Sequence, residues 1–382
     1  MKVRIIALFF AGIALFAFPA RVFSWEDAFF DLLELSPSAR AAAMGGLHAA
    51  LADDATTLFS NPAGLRSVDR QITVSNCTLS FYESAGNFLG ESLAGVGGSS
   101  AVRQGYFNLW GPLAFSYVRK GRGFGIFSSS NIFMQTWGPI PAAREMLEVN
   151  LVLIAGWAFR IPLPARWQST LDVGFSLVGF ASARGSTNTD FRQVLQSSAS
   201  AMELLGNSTS ASSALGAGIE FGLLYSFREW LAFGIAGRNL SLEQIRSFGS
   251  IQDLIGGGSS TSRYIGLPLD LSAGILFRPP LGRLGWFLSD LVIAADYHNM
   301  FDFAIYPDGA TNPLLHIGAG LELKLLEIVS LRAGYYQCLP SVGIGLDLSL
   351  FALDFAYFGR ELSKDPGGYP VDSYSIGVDF KY

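Results

Sequence analysis

The sequence has few of the residues that usually carry enzyme chemistry. Of its 382 residues two are cysteine, three are histidine and 15% are charged. It contains no Gly-x-Ser-x-Gly elbow, no His-Glu-x-x-His motif and no phosphate loop, and "GRGFG" at 121–125 has the wrong spacing for one. Only His48, His298 and His316 could pair with a catalytic serine. We therefore expect neither an enzyme nor a bound cofactor or metal.

Cysteine is too scarce for a disulfide-built fold. Cys77 and Cys338 lie far apart in the sequence. An exported protein could pair them, or both could remain thiols, and spacing alone does not choose between the two.

Long apolar runs are absent beyond the N-terminus. Lys2 and Arg4 precede an apolar run over 5–18, a break follows at Pro19, and Val22-Phe23-Ser24 then offers residues that a signal peptidase tolerates. This pattern predicts a secretory signal peptide over residues 1–24. Without another stretch of about 18 uninterrupted apolar residues, helical membrane spans are excluded.

The hydrophobic content is nevertheless that of a membrane protein. Half of the residues are hydrophobic, and the mean hydropathy is +0.35. Only helices and closed β-barrels satisfy all their backbone hydrogen bonds in lipid. Because helices are excluded, these values predict a β-barrel, and the 43 glycines and 31 phenylalanines agree with it.

The charge balance excludes one class of partner. Removal of residues 1–24 takes away three of the 26 basic residues, which leaves 23 against 31 acids, a net charge near −8. Such an acidic chain is not expected to bind nucleic acid.

Apolar residues alternate with small or polar ones in many segments, as in "STLDVGFSLVGF" at 169–180. A period of two with one apolar face is typical of transmembrane strands. We predict a transmembrane antiparallel barrel of about 14 strands over residues 69–382. The predicted strands are 70–82, 111–119, 123–134, 147–160, 168–181, 214–226, 230–243, 264–278, 287–300, 314–324, 327–337, 341–348, 350–359 and 372–382.

Short and long connections alternate along the predicted strands. Short turns follow the even-numbered strands, as at 120–123, 227–230 and 325–328. Most odd-numbered strands are followed by long links, at 83–110, 135–146, 182–213, 244–263, 301–313 and 360–371. Bacterial outer-membrane barrels have this asymmetry, and an even strand count leaves both termini at the periplasmic, short-turn end. We therefore expect the outer membrane of a Gram-negative or other diderm bacterium.

Residues 25–68 fit neither a strand nor a disordered region. A barrel of about 14 strands is too wide for its own side chains to fill. We therefore predict that this segment is a small helical hatch inside the lumen. The spacing in "ARAAAMGGLHAALADD" at 39–54 predicts a helix ended by Asp53 and Asp54, and Asn61-Pro62 predicts a turn. Capping of backbone amides is favoured for the two aspartates over metal binding.

The stretch "SARAAAMGGLHAALADDATTLFSNPAGL" at 38–65 resembles the hatch of the FadL family of outer-membrane long-chain fatty acid transporters. The hatch motif comprises Asp53, Asp54, Asn61, Pro62, Ala63 and Gly64. Spirochaete outer-membrane proteins and PorV-type proteins of the type IX secretion system share "ADD…NPAGL". The stretches 233–240 and 315–337 also resemble this larger group.

The resemblance implies a fourteen-stranded barrel, a hatch that blocks the periplasmic exit, a hydrophobic pocket and a lateral exit at a kink in the third strand. Ser128, Ser129 and Ser130 are the kink candidates, although small residues there could simply pack beneath a loop. His316 and Arg332 are candidates for a substrate carboxylate. Apolar candidates for the substrate site are Trp25, Phe29, Phe30, Phe127, Val152, Ile154 and Leu276.

The alternation also directs one acid from many strands into the lumen, mostly near the short-turn end. These acids could form a path for a cation, or they could pair with basic neighbours and with Arg40 and Arg66 of the hatch. Buried charges need partners, which favours pairing. The acids are Asp172, Glu220, Asp270, Asp296, Glu322, Asp347, Asp354 and Asp379.

Two functions fit these patterns. The first is passive uptake of long-chain fatty acids or other hydrophobic molecules through a hatch-gated lumen. The second is a PorV-like secretion or attachment component without solute flux. In either case we expect contact with outer-membrane lipid. The last strand, "SYSIGVDFKY", ends on an aromatic residue and resembles the signal that the barrel assembly machinery recognises.

Overall fold

We describe the fold from a computed structural model. It describes residues 38–82, 103–137, 142–190, 209–266, 269–305, 307–348 and 350–381. The predicted signal peptide and the candidates Trp25, Phe29 and Phe30 lie outside these ranges. Within them, no helix combines the length and the apolar character needed to cross a membrane.

Strands make up most of the described chain. Their bounds are β1 Gln71–Tyr82, β2 Arg103–Arg119, β3 Arg122–Trp137, β4 Ala142–Ile161, β5 Ser169–Asp190, β6 Thr209–Phe227, β7 Leu231–Phe248, β8 Ser260–Gly266, β9 Asp270–Phe277, β10 Leu288–Tyr297, β11 Ile317–Leu325, β12 Val329–Tyr336, β13 Leu339–Asp347, β14 Phe351–Glu361 and β15 Pro370–Lys381.

These strands form one antiparallel sheet that closes on itself. Strands next to each other in the sequence pair with each other, except β8 and β9, and β1 pairs with β15 to close the ring. The first half of β7 pairs with β9 and the second half with β8, so β8 and β9 together occupy one strand position. The described chain is therefore a closed barrel with 14 strand positions, as the sequence predicts.

Side chains alternate between the two faces of the wall. In β4, Leu151 and Leu153 are exposed while Asn150 and Ile154 are buried, and Phe159 is 60% exposed. An apolar band of this kind is unfavourable in water and suits the hydrocarbon core of a membrane. The predicted apolar-out pattern is therefore confirmed.

Several details of the strand prediction need correction. The predicted links at 83–110 and 182–213 are shorter than expected, because β2 begins at Arg103 and β5 extends to Asp190. The predicted eighth strand, 264–278, is divided into β8 and β9, and proline at 268 lacks the amide hydrogen that a continuous ladder requires. The predicted link at 135–146 is mostly strand, because β3 and β4 extend to Trp137 and from Ala142. Pairing between long neighbouring strands outweighed the weak local pattern there.

Short helices accompany the sheet. Among the described residues, the α-helices are α1 Ala39–Ala43, α2 Thr57–Ser60, α3 Ile251–Gly256 and α4 Asp302–Ile305. The same residues include five 3-10 helices, at Pro62–Arg66, Ala165–Trp167, Gly282–Trp286, Pro307–Gly309 and Pro313–His316.

The helix predicted over 39–54 was wrong. It ends at Ala43, and Gly45 and Gly46 follow with φ of 78° and 115°. A Cβ on Gly45 would lie 2.6 Å from the Ala319 carbonyl oxygen and 2.7 Å from that of Tyr335. The two glycines let the chain turn away from the helix and approach the wall closely.

Residues 38–68, called the N-terminal segment below, supply much of the core. Leu58 and Leu65 pack with Phe127 and Ile154 on one side of the barrel. Met44 and Ala63 pack with wall residues Leu224, Leu276 and Val292, and α1 packs against Ala356 and Phe358. Because the segment contacts inward-facing side chains around the ring, it lies inside the barrel.

The two cysteines are not bonded to each other. Cys77 lies in β1, Cys338 lies in the turn between β12 and β13, and both are free.

Candidate functional site

The Asn-Pro-Ala-Gly-Leu stretch anchors the N-terminal segment to the wall. Asn61 is fully buried, and its side-chain amide donates to the carbonyl oxygens of Ala49 at 2.7 Å and Leu223 at 3.1 Å. Its Oδ1 accepts from the amide of Ala63 at 3.0 Å, which begins the 3-10 helix with Pro62 at its first position. One side chain therefore shapes the segment and joins it to β6.

Inward-facing glycines make room for the segment. A Cβ on Gly222 would collide with the Asn61 side chain, and one on Gly234 would collide with the Ala49 carbonyl. A Cβ on Gly156 would lie 2.7 Å from Leu65, and one on Gly320 would lie 2.5 Å from the Met44 carbonyl. Glycine on the inner face thus accounts for much of the small-residue half of the alternation.

Arg40 connects three carboxylates beside the segment. Its five N–H groups make five hydrogen bonds, of 2.7–3.0 Å, to Asp53, Asp54 and Glu322. Burial lowers the pKa of Arg40, but the carboxylates outweigh burial and raise it well above its usual range. Burial likewise raises the pKa of Asp53, and Arg40 more than offsets this and lowers it.

Arg40 belongs to a longer chain of alternating charges. Arg278 contacts Asp53 at 3.2 Å and Asp290 at 3.3 Å, and Arg332 contacts Glu322 at 2.6 Å and also Asp354. The chain thus runs from β10 through the N-terminal segment to β14. The expectation that the inward acids are paired is confirmed at these positions and for Asp172 with Arg160, Asp270 with Arg238 and Asp347 with Lys381.

The predicted backbone capping holds for Asp54. Its Oδ1 accepts from the Thr56 amide at 2.8 Å, whereas Asp53 is occupied by Arg40 and Arg278. Over the described part of the chain, no group of three or more His, Cys, Asp or Glu side chains is arranged to hold a metal ion.

A cavity of about 380 Å³ lies between the segment and the wall near the short turns. One side carries Phe59, Trp110 and Phe127, whose ring centroids lie 4.7–5.9 Å apart. The opposite side carries the series of paired charges around Arg40, together with Lys324 and Lys381. The cavity therefore offers an aromatic surface to an apolar molecule. On the opposite side, the acidic and basic side chains are already paired with one another.

The apolar candidates for the substrate site do not share one surface. Phe127 lines the cavity, and Val152 and Ile154 belong to the cluster around Leu58 and Leu65 behind it. Leu276 packs on the other side of the segment.

The two carboxylate candidates lie at opposite ends of the barrel and both have protein partners. Arg332 lines the cavity and is 6% exposed between Glu322 and Asp354. His316 lies beyond the long-loop end of β11, 2.8 Å from the Thr311 hydroxyl and 3.1 Å from Asp302. Arg332 is therefore already paired with two carboxylates, and His316, whose Nδ1 has no hydrogen-bond partner among the described residues, does not line the cavity.

The wall irregularity near the kink candidates falls on β2. Ser128, Ser129 and Ser130 pair in unbroken register with β4. On their other side, residues 111–113 of β2 stand opposite Ser128 alone, because the register shifts between Trp110 and Ala114. The β1–β2 register shifts at the same height, with residues 74–77 and 111–115 between the two paired stretches.

The sequence analysis did not identify the functional role of three residues. Phe59 and Trp110 complete the aromatic side of the cavity. The only available signal was that Phe59 lies within the segment predicted to fill the lumen. His48, considered only as a catalytic partner, instead contacts Asp296 on β10.

Comparison with known proteins supports the fold. No protein-family model and no curated protein sequence matches the chain. The Ralstonia pickettii toluene transporter TbuX has a similar structure, with 14% identity, 90% of this chain and 97% of that chain covered, and a TM-score of 0.50. A TodX monoaromatic hydrocarbon channel deltaS2 mutant has 12% identity, 90% and 98% coverage, and a TM-score of 0.50. The fold is that of these channels.

A Pseudomonas aeruginosa FadL homologue also aligns, at 13% identity over 91% of this chain and 97% of that chain, with a TM-score of 0.43. The resemblance of the sequence to the FadL family is confirmed at the level of the fold by TbuX and TodX. These two structures are named as a transporter and a channel rather than as enzymes.

Proposed function

We propose that this chain is an outer-membrane channel for the passive uptake of hydrophobic molecules. The observation that carries the proposal is the cavity between the N-terminal segment and the wall, with Phe59, Trp110 and Phe127 on one side. Aromatic rings of this kind bind apolar and aromatic molecules. The apolar outer face and the fold shared with a toluene transporter support the same function.

We propose that the N-terminal segment is the hatch. It fills the lumen next to the cavity, so a molecule in the lumen has to displace it or leave through the wall. For a lateral exit, the support is the pair of register shifts at residues 74–77 and 111–115, beside Trp110 and opposite Ser128. The exit implied at strand three is thus proposed between β1 and β3.

Within this function, uncharged molecules are the better-supported substrates. Long-chain fatty acids are the class implied by the sequence resemblance, and their carboxylate needs a cation or several donors. The five cations lining the described cavity, Arg40, Arg278, Lys324, Arg332 and Lys381, all contact carboxylates. A fatty acid would have to open one of these pairs, whereas a hydrocarbon would not.

Uptake by whole cells tests the proposal, since a pure phospholipid bilayer does not exclude such solutes. A diderm bacterium without hydrocarbon channels of its own would express the chain or a matched empty vector, with labelled toluene and labelled oleate as probes. We expect faster toluene uptake than in the control and a smaller effect on oleate. Equal uptake of both probes with and without the chain would contradict the channel.

The same cells test the exit and the alternative function. A photoreactive toluene analogue should label residues 74–77 and 111–113, and labelling confined to the short turns would contradict a lateral exit. A PorV-like component would show no uptake and would co-purify with a secreted or surface-attached protein.

A further inference from the structure

His48 joins the N-terminal segment to the barrel wall through a buried contact. Its side chain is 1% exposed, and its Nδ1 lies 2.5 Å from Oδ2 of Asp296, which is fully buried. Its Nε2 lies 2.9 Å from the carbonyl oxygen of Met44. The other Asp296 oxygen accepts from the amide of Ala49 at 2.7 Å.

This geometry requires a charged imidazole. Both ring nitrogens face oxygen acceptors, and a neutral histidine carries only one N–H. Deprotonation would leave one nitrogen lone pair against an oxygen in a site without room for rearrangement, since a Cβ on Gly320 would lie only 2.7 Å from Nε2. The two N–H donors of an imidazolium satisfy both acceptors.

The surrounding charges come from several elements. Asp296 of β10 and His298, the residue after β10, face His48, and Arg40 approaches from α1. Arg238 on β7 pairs with Asp270 on β9 next to His298. Burial lowers the pKa of His48 and Arg40 lowers it further, but Asp296 and the Met44 carbonyl outweigh both, so the pKa lies above its usual value.

We propose that the His48–Asp296 contact is a pH-sensitive latch that holds the N-terminal segment in the lumen. The proposal concerns regulation and rests on the proposed function. A group with a raised pKa in the folded state contributes its full stabilisation below its unfolded value of about 6.5, and loses it as the pH rises through the folded value. The segment is therefore held most firmly below a pH of about 6.5 and loosens as the pH rises through the raised pKa of His48 in the folded protein.

Hydrogen exchange of the full-length protein in lipid nanodiscs tests the latch. The reporter is the peptide covering 44–51, which includes the Ala49 amide bound to Asp296. After correction for the intrinsic pH dependence of exchange, we expect its exchange to increase as His48 loses its proton, by up to a factor of ten for each unit by which folding raises the pKa of His48. Peptides of β5 serve as the internal reference.

Variants assign the effect to the contact. In His48→Gln and Asp296→Asn, exchange over 44–51 should be fast at every pH, whereas His316→Gln, which changes another buried histidine, should keep the titration. A titration that persists in His48→Gln, or its absence from the natural chain, would overturn the proposal.

A second measurement leaves His48 in place, so it does not depend on whether a variant at this position folds. With nitrogen-15 histidine, the imidazole resonances that remain in a His298→Gln, His316→Gln chain belong to His48. A His48 ring that titrates above its usual value of about 6.5 supports the latch, and a ring that titrates at or below that value overturns it. Neither readout involves transport, so the two proposals can fail separately. Titration of His48 without toluene uptake would contradict only the proposed function. Toluene uptake without titration of His48 would contradict only the latch.

Discussion

At the scale of single residues, the N-terminal segment is attached by polar side chains that use nearly all their hydrogen-bonding groups. Arg40 uses five donors, and Asn61 uses both its donor and its acceptor ends. A saturated buried group costs little to keep, whereas removal of one partner leaves the others desolvated and unpaired. Such residues are therefore sensitive points for the attachment of the segment.

Replacement of Arg40 should release the segment. Arg40→Met leaves Asp53, Asp54 and Glu322 close together without their shared cation, and breaking a buried ion pair costs about 3–5 kcal/mol. We expect faster hydrogen exchange over residues 38–60 with an intact barrel. The matched control is Lys120→Met, which removes an exposed pair with Asp69 and should change little. Equal exchange in the two variants would contradict the role of Arg40.

At the scale of elements, the wall is shaped to receive the segment. Glycines on β4, β6, β7 and β11 face it, and their missing side chains leave the space that its backbone and side chains occupy. Strand geometry places these glycines on the inner face at every second position, so the same alternation builds the outer apolar band and the inner recess.

A methyl group on the inner face of β7 should displace the segment. In Gly234→Ala the new Cβ would collide with the Ala49 carbonyl, and overpacking of this kind costs about 1–3 kcal/mol. Limited proteolysis should then cut residues 38–68 faster, while the barrel keeps its resistance. Gly179→Ala is the control, because nothing lies within 4 Å of its added Cβ. Unchanged cleavage in Gly234→Ala would show that the wall adapts.

At the scale of the whole molecule, a closed barrel surrounds the N-terminal segment, and the position of the segment determines the free space in the lumen. The aromatic side of the cavity is formed by Phe59 of the segment together with Trp110 and Phe127 of the wall. Movement of the segment therefore alters the proposed binding site and the path through the lumen together.

A disulfide between the segment and the wall should block uptake. The Cβ of Ala39 lies 3.4 Å from the ideal Cβ position of Gly377, near the range that disulfides span. Ala39→Cys with Gly377→Cys, in a chain with Cys77→Ala and Cys338→Ala, should lose toluene uptake when oxidised and recover it with reductant. Each single-cysteine chain should be insensitive to reductant. Full uptake by the oxidised double variant would show that α1 does not have to move.

The sequence by itself determined the closed barrel and its 14 strand positions, because a period of two is a local property and lipid leaves the backbone few alternatives. It also indicated that the acids at Asp172, Glu322 and Asp354 face inward. Tertiary structure decided where α1 ends, which cation meets which acid, and that the wall irregularity falls on β2 instead of at Ser128–Ser130. These features depend on contacts between residues distant in the chain, such as Arg40 with Glu322 and His48 with Asp296, and no local periodicity encodes them.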